Sequence, residues 1–369
     1  MLRFICNVFF AVMFALTADA QTTQPFAQQL GSLGNSIDAI VAAKNQQITA
    51  LQLQNATLAD QVAASLKLQA LPDGTDLTPI LSNPISGQLV VLKEDGSYPV
   101  LHPTISATKV VLGFNSTLSM VSVNPGGTGI GIRAPNCVFS GLNLIGNVTA
   151  FHVWAAHAQI NNCRFDKSIA VGIQTDVGGD STTIDGCNFG ITQAQGIYAT
   201  ADNLTIINSF FAGSVGEHPI RVDKNSTTGH RPNNILIANC SITNHNIYGK
   251  EAIALRECDL VTLHNLVVDG WVRPGNVIGN PDSTVHCSDL IIHGLTFASL
   301  RPGGSLLQIE HDVNSVISDI SGPGSLTDPL ISNQVRSVLS IHNGSLIGNP
   351  PPGKQWFPMI SGPGAANAI

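Results

Sequence analysis

Residues 160–165 read Ile-Asn-Asn-Cys-Arg-Phe, and residues 184–189 repeat the phrase as Ile-Asp-Gly-Cys-Asn-Phe. Related phrases recur along the chain, each with an apolar run, then Gly or Asn, then a strand-like pair. The Gly or Asn, which we call the anchor, falls at positions 141, 162, 186, 208, 239, 265 and 294. Consecutive anchors are 21 to 31 residues apart. A repeat of this size predicts a solenoid, in which each unit packs only on its neighbours.

The repeating units are short β-branched runs broken by Gly, Asn and Asp, as in residues 204–207 and 235–238. No amphipathic stretch of about ten residues separates them, so we predict strands and an all-β fold rather than pairs of helices. The fixed leucine columns and constant period of a leucine-rich repeat are missing. That architecture is therefore the less favoured alternative.

These turns resemble the right-handed parallel β-helix, or pectin-lyase-like, superfamily. The resemblance covers residues 101–345 and rests on turn length, apolar-x-apolar strands, and Asn or Gly at the corners. It implies a right-handed parallel β-helix solenoid, a coil shared by lyases, hydrolases, epimerases, phage tailspikes and adhesins. The architecture therefore leaves the activity open.

The chain divides into five predicted segments. Residues 1–20 have the pattern of a signal peptide, with Arg3, an apolar core at 4–16 and a small-x-small site at 18–20. We therefore expect a secreted or cell-surface protein, with the periplasm as an alternative, and no later segment is apolar enough to span a membrane. The other four segments are a helical region at 21–70, a linker and N-terminal cap at 71–100, the β-helix at 101–348 and a tail at 349–369.

A heptad pattern runs through residues 35–68. Its apolar positions are Ile37, Val41, Ile48, Leu51, Leu58 and Val62. Alternating steps of four and three predict a coiled coil that makes the protein a homo-oligomer, for which we favour a trimer. The alternative is a single amphipathic helix that caps the N-terminal end of the solenoid.

The composition restricts the classes of function that the protein can have. Only 11% of the residues are charged and the net charge is −7, which argues against binding nucleic acid. Export would leave six cysteines. Cys163 and Cys187 follow their anchors in consecutive units, and Cys258 and Cys287 precede theirs. The spacing favours a buried ladder of small side chains, with disulfides as the alternative.

Each unit has a further strand after its anchor, and we align these strands to find the side chains that point outward. The first outward column is Trp154, Gln174, Tyr198, Arg221, Ala254, Ile278 and Gln308. The second is Ala156, Asp176, Thr200, Asp223, Arg256, Asn280 and Glu310. Aromatic, amide and charged groups at about 4.8 Å spacing suit a sugar chain, although an ordinary solvated sheet face has a similar mixture.

Charge is concentrated in residues 217–257, which hold nine charged side chains in 41 residues. The 31-residue interval between anchors 208 and 239 indicates an insertion there, and inserted loops often carry function. Removing the proton next to a uronate carboxylate needs a base and a cation that neutralises the carboxylate. The predicted catalytic residues are His218, Arg221, Lys224 and Arg256, and the predicted substrate-binding residues are Trp154, Gln174, Asp176, Tyr198, Glu217, Asp223, Glu251 and Glu310.

We therefore favour a polysaccharide lyase or epimerase acting on an acidic, uronate-containing polysaccharide. The alternative is a non-catalytic glycan-binding or adhesive fibre. A glycoside hydrolase is less favoured, because residues 228–231 match only part of the motifs that the resemblance implies for pectin hydrolases. No residue set predicts a metal site, since His264 and His293 form only a stacked pair. A requirement for Ca²⁺ remains open, because β-helix lyases act with or without it.

Overall fold

The computed structural model describes residues 70–121, 127–243 and 251–269, followed by separate strand segments between 278 and 361. Beyond residue 269, side chains are described for 289–297 and 316–321. The predicted signal peptide, the heptad region at 35–68, Cys287 and Glu310 lie outside the described residues, and only 360–361 of the tail lie within them.

The described chain is almost entirely β-structure, with one short helix, α1, at Thr78–Ser82. The strands of the N-terminal part are β1 Gln88–Val91, β2 Ser97–Val100, β3 Thr104–Ile105, β4 Lys109–Met120, β5 Thr128–Ile132, β6 Val138–Ile145, β7 Thr149–Val153, β8 Gln159–Asn161, β9 Arg164–Phe165 and β10 Val171–Thr175. The central strands are β11 Thr183–Asp185, β12 Asn188–Phe189, β13 Gln195–Ala199, β14 Thr205–Ile207, β15 Phe210–Phe211, β16 Ile220–Asp223, β17 Asn233–Ala238, β18 Ser241–Thr243, β19 Ile253–Arg256 and β20 Asp259–Asp269. The last are β21 Ile278–Gly279, β22 Ser288–Phe297, β23 Leu307–Ile309, β24 Asn314–Pro323, β25 Ile331–Asn333, β26 Val338–His342, β27 Ser345–Ile347 and β28 Ile360–Ser361.

The strands stack in three faces, and the pairings between neighbouring strands of a face are parallel. Face 1 runs β1-β4-β6-β8-β11-β14-β17-β20-β22-β24-β26, and face 2 runs β2-β4-β6-β9-β12-β15-β18-β20-β22-β24-β27. Five long strands pass through the corner between them and join both faces into one 17-stranded sheet. Face 3 is a separate 11-stranded sheet, β3-β5-β7-β10-β13-β16-β19-β21-β23-β25-β28. This is a parallel β-solenoid, which confirms the all-β parallel solenoid of the predicted fold class, whereas the predicted coiled-coil segment at 35–68 lies outside the described residues.

The corner between faces 1 and 2 is a single residue in the left-handed conformation. The anchors Asn162, Asn208 and Asn239 have φ values of 52°, 53° and 53°, and the other four anchors are also positive. Gly and Asn tolerate this conformation better than other residues, which explains why the repeat depends on them. At Gly186 a second reason applies, because an added Cβ would lie 2.5 Å from Oδ1 of Asn162 in the preceding coil.

Anchor side chains bond to one another along the stack. Asn239 Nδ2 donates to Asn208 Oδ1 over 3.4 Å, and Asn265 Nδ2 donates to Asn239 Oδ1 over 3.3 Å. A second left-handed column lies five positions before the anchors, at Asn136, His157, Ser181, Asn203, Asn234, Leu260 and Asp289. The anchor column was predicted, whereas this second column was not. Three of its positions hold His, Ser and Leu, which do not indicate a left-handed conformation.

Stacked side chains fill the interior. Phe165, Phe189 and Phe211 occupy the same position in three successive coils, with ring centroids 4.4 and 4.6 Å apart and planes tilted by only 6° and 2°. All three rings are fully buried. This offset from coil to coil matches the spacing of neighbouring strands, so one aromatic side chain per coil builds a continuous core.

The cysteines belong to this core. Cys163, Cys187 and Cys240 are buried free thiols directly after their anchors, as the ladder interpretation predicted for Cys163 and Cys187. The Cys187 thiol donates to the Ile160 carbonyl over 3.3 Å. Its hydrogen bond with Cys163 and its burial raise the pKa of Cys187, and burial raises the pKa of Cys240 to about 11. The thiols of Cys187 and Cys240 therefore stay protonated and act as small apolar side chains.

The N-terminal part of the solenoid contains helix α1, whose Leu81 is buried in the common core with the preceding Leu77. The fully buried Lys109 fixes the loop that follows the helix. Its Nζ donates to the carbonyls of Asn83 and Ile85 and to Gln88 Oε1 at 2.6 to 2.8 Å. Within the described residues, no helix is long and apolar enough to cross a membrane.

The phenylalanine stack gives a matched pair of variants. Phe211→Ala is expected to lower the free energy of unfolding by about 3–5 kcal/mol, because it opens a cavity between Phe189 and the next coil. Phe210→Ala, at the adjacent and 38% exposed position, is expected to cost less than about 1 kcal/mol. Urea unfolding of both variants measures the difference, and equal losses would contradict the assigned core.

Candidate functional site

The outer surface of face 3 carries a row of polar side chains on four consecutive strands. The register places His152 on β7 beside Gln174 on β10, Gln174 beside Tyr198 on β13, and Tyr198 beside Arg221 on β16. Their inward neighbours are buried, including Ile173, Ile197 and Ile220. Two residues further along the strands of face 3, a second row contains Asp176, Thr200, Asp223 and Arg256. Asp223 pairs directly with Arg256. We call these two rows the polar strip.

Two details of the predicted alignment are wrong. Trp154 was expected beside Gln174, but His152 takes that place, and Trp154 lies two residues further along. Ile278 was expected to point outward beside Ala254. It pairs with the inward-facing Ile253 instead, and Gly279 pairs with Ala254. Gln308 pairs with Gly279 and so keeps its predicted column.

The N-terminal end of the polar strip is organised by Asp176. One carboxylate oxygen, Oδ2, lies 2.6 Å from His152 Nε2 and accepts the Trp154 indole N–H at 3.1 Å. The other oxygen, Oδ1, accepts weaker bonds from Gln174 and Thr200 at 3.4 Å. These interactions, led by His152, lower the pKa of Asp176 despite its partial burial. Asp176 is therefore held as a carboxylate.

Trp154 lies between other side chains rather than standing alone. Its ring stacks on the His152 imidazole with centroids 3.6 Å apart, and the Arg133 guanidinium lies 4.4 Å from its centroid. The indole was predicted to stack on a sugar ring. The indole therefore already has a stacking partner and a neighbouring cation within the protein.

The C-terminal end of the strip is built around Arg221. Its Nε and Nη2 donate to the Asp223 carboxylate, with an Nε distance of 3.0 Å, while Nη1 lies 3.7 Å from Glu217 Oε2. The guanidinium lies 5.4 Å from the centre of the Tyr198 ring. Burial, followed by the charge of Asp223, raises the pKa of Tyr198, which keeps the phenol protonated.

His218 lies beneath this surface. Its side chain has no exposed area, and it sits between Glu217 and Glu251. Nδ1 is 3.1 Å from both the carbonyl and the Oε2 of Glu251, and Nε2 is 3.6 Å from Glu217 Oε2 without a hydrogen bond. Burial raises the pKa of Glu251, but His218 and then Arg256 lower it by more. The predicted acid or base therefore contacts two carboxylates and is shielded from solvent.

The two remaining predicted cations differ in their surroundings. Lys224 Nζ is 2.6 Å from Glu257 Oε2, so its charge is paired. Arg256, in contrast, forms no ion pair within 4.0 Å among the residues the structure describes, and its buried Nε has no hydrogen-bond partner there. Such a donor is costly to leave unsatisfied, particularly on a charged group.

The insertion after anchor 208 carries further charge pairs that the sequence did not predict. His230 Nε2 lies 3.0 Å from Asp202 Oδ1, and Arg231 Nη2 lies 2.6 Å from Asp259 Oδ1. Both pairs join residues 28 positions apart, on neighbouring coils. Charge spacing along the chain could not reveal them, because the partners meet only after the coils stack.

Other predicted features lie apart from the strip. His264 and His293 stack as expected, with centroids 5.2 Å apart, and His293 also contacts Asp319 at 2.9 Å. Glu310 lies outside the described residues, so its predicted role has no structural account. Among the described side chains, no group of three or more His, Cys, Asp or Glu is arranged to hold a metal ion.

No protein-family model matches this chain, and no curated protein matches it. Several solved structures are similar. The catalytic domain of a GH87 alpha-1,3-glucanase is 10% identical with a TM-score of 0.47, and covers 81% of this chain and 71% of its own. An alginate lyase from Paenibacillus sp. is 14% identical with a TM-score of 0.49, and covers 78% and 97%.

The surface adhesin PfbA of Streptococcus pneumoniae is 12% identical with a TM-score of 0.48, and covers 70% of this chain and 82% of its own. At this level of similarity the comparison concerns architecture only. The assignment of a parallel β-solenoid rests on the strand pairing of this chain itself.

The Asp176 interactions predict a pH-dependent stability. Asp176→Asn is expected to lower the free energy of unfolding near neutral pH by about 1.5–3 kcal/mol, because bonds to a charged acceptor are lost. The lowered pKa means that the stabilisation is present above the ordinary value of 3.8 and disappears as pH falls through the folded-state pKa. Urea unfolding at neutral and strongly acidic pH measures the gap between variant and parent.

The gap in unfolding free energy between variant and parent should close in acid. A gap of the same size at both pH values would show that Asp176 acts through packing rather than through its charge.

Proposed function

We propose that this protein acts on an acidic, uronate-containing polysaccharide by lyase or epimerase chemistry, in which a proton next to the uronate carboxylate is removed. The observation that carries the proposal is the half-buried Arg256, whose guanidinium forms no ion pair within 4.0 Å among the described residues. A cation without an ion pair, on a surface where Arg221 and Lys224 are already paired, favours an anionic ligand. A uronate carboxylate satisfies that requirement.

The neighbouring groups supply the rest of the chemistry. Tyr198 remains protonated because its pKa is raised, so it suits donation to a leaving glycosidic oxygen. Glu217 is 32% exposed beside Arg221 and serves as the base, whereas Lys224 is paired with Glu257. His218 has no exposed surface, so we assign it the positioning of Glu217 and Glu251.

The two reactions share their first step. The base takes the proton from the carbon next to the carboxylate, and the Arg256 and Arg221 guanidiniums stabilise the negative charge that develops. In elimination, the electrons form a carbon–carbon double bond, the glycosidic bond breaks and the leaving oxygen takes a proton from Tyr198. In epimerisation, a proton returns to the opposite face of the same carbon and the chain stays intact.

A non-catalytic glycan-binding or adhesive role is the second candidate. The observation that favours it is the pairing of charges across the strip, with Arg221 held by Asp223 and Lys224 by Glu257. A surface with satisfied charges and a shielded His218 suits recognition without proton transfer. Under either candidate we also propose an extracellular location and assembly through residues 35–68, on the sequence patterns described above.

The test follows the ultraviolet absorbance of the unsaturated uronate product. The full chain is incubated with alginate, pectate, glycosaminoglycans and bacterial exopolysaccharides, with and without Ca²⁺, in water and in D₂O. A lyase raises the absorbance, and an epimerase instead introduces deuterium into the intact polymer. Arg256→Gln is expected to lower either rate by about 10²- to 10³-fold.

Arg164→Gln provides the matched control, since Arg164 points outward from face 2, away from the strip. It should leave the rate unchanged. Full activity of Arg256→Gln would contradict the proposed anion position. Absence of both product and deuterium on all polymers, combined with saturable binding to one of them, would support the binding role.

A further inference from the structure

A hydroxyl, an imidazole and a carboxylate line up at the N-terminal end of the polar strip. Thr128 Oγ1 lies 3.4 Å from His152 Nδ1, and His152 Nε2 lies 2.6 Å from Asp176 Oδ2. The three residues come from three consecutive coils, on β5, on β7 and directly after β10. The stacking of the solenoid, rather than any local motif, therefore brings them together.

The contacts define which nitrogen of His152 carries the proton. Asp176 is held as a carboxylate, so it accepts a hydrogen bond from the Nε2–H of His152. In the neutral imidazole, the other nitrogen, Nδ1, is then the acceptor that faces the Thr128 hydroxyl. Nucleophilic hydrolysis uses this arrangement of a hydroxyl, a base and a group that orients the base. The distance between nucleophile and base is often longer when no substrate is bound.

We infer that Thr128, His152 and Asp176 form a second reactive centre, one that removes small O-acyl groups from sugar hydroxyls. The Thr128 oxygen attacks the ester carbonyl while His152 Nδ1 takes its proton. The carbon–oxygen bond to the sugar then breaks, the sugar oxygen takes the proton from His152, and an acyl-threonine is left. Water hydrolyses this ester by the same route and releases the carboxylic acid.

The surroundings favour a small, uncharged acyl group. The Trp154 ring packs on His152 at 3.6 Å and leaves little room beside the imidazole, while its apolar surface suits a methyl group. The side chain of His152 is only 13% exposed. Asp176 already has four neighbouring donors, so this carboxylate does not require a cationic substrate.

The position on face 3 connects this centre with the proposed site around Arg221. Three strand spacings separate His152 from Arg221 in the same row, which corresponds to roughly 14 Å. A polymer that follows the row would pass both centres. The inference goes beyond the proposed function and does not depend on it, because ester cleavage needs neither Arg256 nor a uronate.

The test uses p-nitrophenyl acetate as the probe with the full chain. We expect hydrolysis above the uncatalysed rate, and Thr128→Ala and His152→Asn should each lower it by about 10²- to 10⁴-fold. Thr128→Ser keeps the hydroxyl and should retain activity. Thr205→Ala, on face 1, is the control and should match the parent. Peptide mapping after rapid quenching should locate an acetyl group on Thr128.

Several results would overturn the inference. These are no hydrolysis by the parent, an unchanged rate in Thr128→Ala, or an acetyl group on another residue. The two proposals fail separately, since Thr128→Ala should leave uronate elimination or deuterium uptake intact. Esterase activity without uronate chemistry would contradict the proposed function and support this centre. Uronate chemistry without esterase activity would support the proposed function and contradict this centre.

Discussion

The corner between faces 1 and 2 is the constraint on which the rest of this structure depends. One residue per coil turns the chain in the left-handed conformation, and it is the anchor in all seven coils from Gly141 to Gly294. Because Asn and Gly adopt that conformation at low cost, the corner can be a single residue rather than a loop. Each strand then begins in register with the strand below it, and the asparagine side chains that bond from coil to coil maintain the alignment. The stacked phenylalanines and buried thiols follow from this register.

Fixed corners also explain where the chain can vary. The stretch from anchor 208 to anchor 239 is the longest interval between anchors, yet β15 still pairs with β18 and β16 with β19 in parallel register. The additional residues leave the coil as loops, and these loops contain His218, Lys224, His230 and Arg231. Loops that do not carry the core are free to carry polar groups. The concentration of charge in this part of the chain is thus a consequence of an insertion that the corners tolerate.

The same reasoning shows what the sequence could reveal. The anchors were predictable, because the left-handed conformation favours Asn and Gly and so produces a recurring Asn or Gly in the sequence. The core was predictable because apolar positions alternate. The register of face 3 was only partly predictable, because the distance from anchor to strand varies: His152 lies 11 positions after Gly141, and Arg221 lies 13 after Asn208. A slip of two residues at Trp154 preserves the inward and outward alternation, so the pattern could not detect it. The burial of His218 and the pairing of Lys224 with Glu257 depend on contacts between coils, which charge counts do not contain.

Pairing between coils also decides how the polar strip can meet a ligand. A charged group that is already matched by a neighbour gives little net binding energy, because the ligand must replace an existing interaction. Arg221 and Lys224 are in that position, and Arg256 is not. In the proposed function, recognition of the anion therefore rests on Arg256 rather than on the total number of cations. At the other end, Asp176 is fully matched and serves to orient His152. The two proposed centres thus lie on one face of the solenoid, and the register of the coils places their residues in the same rows.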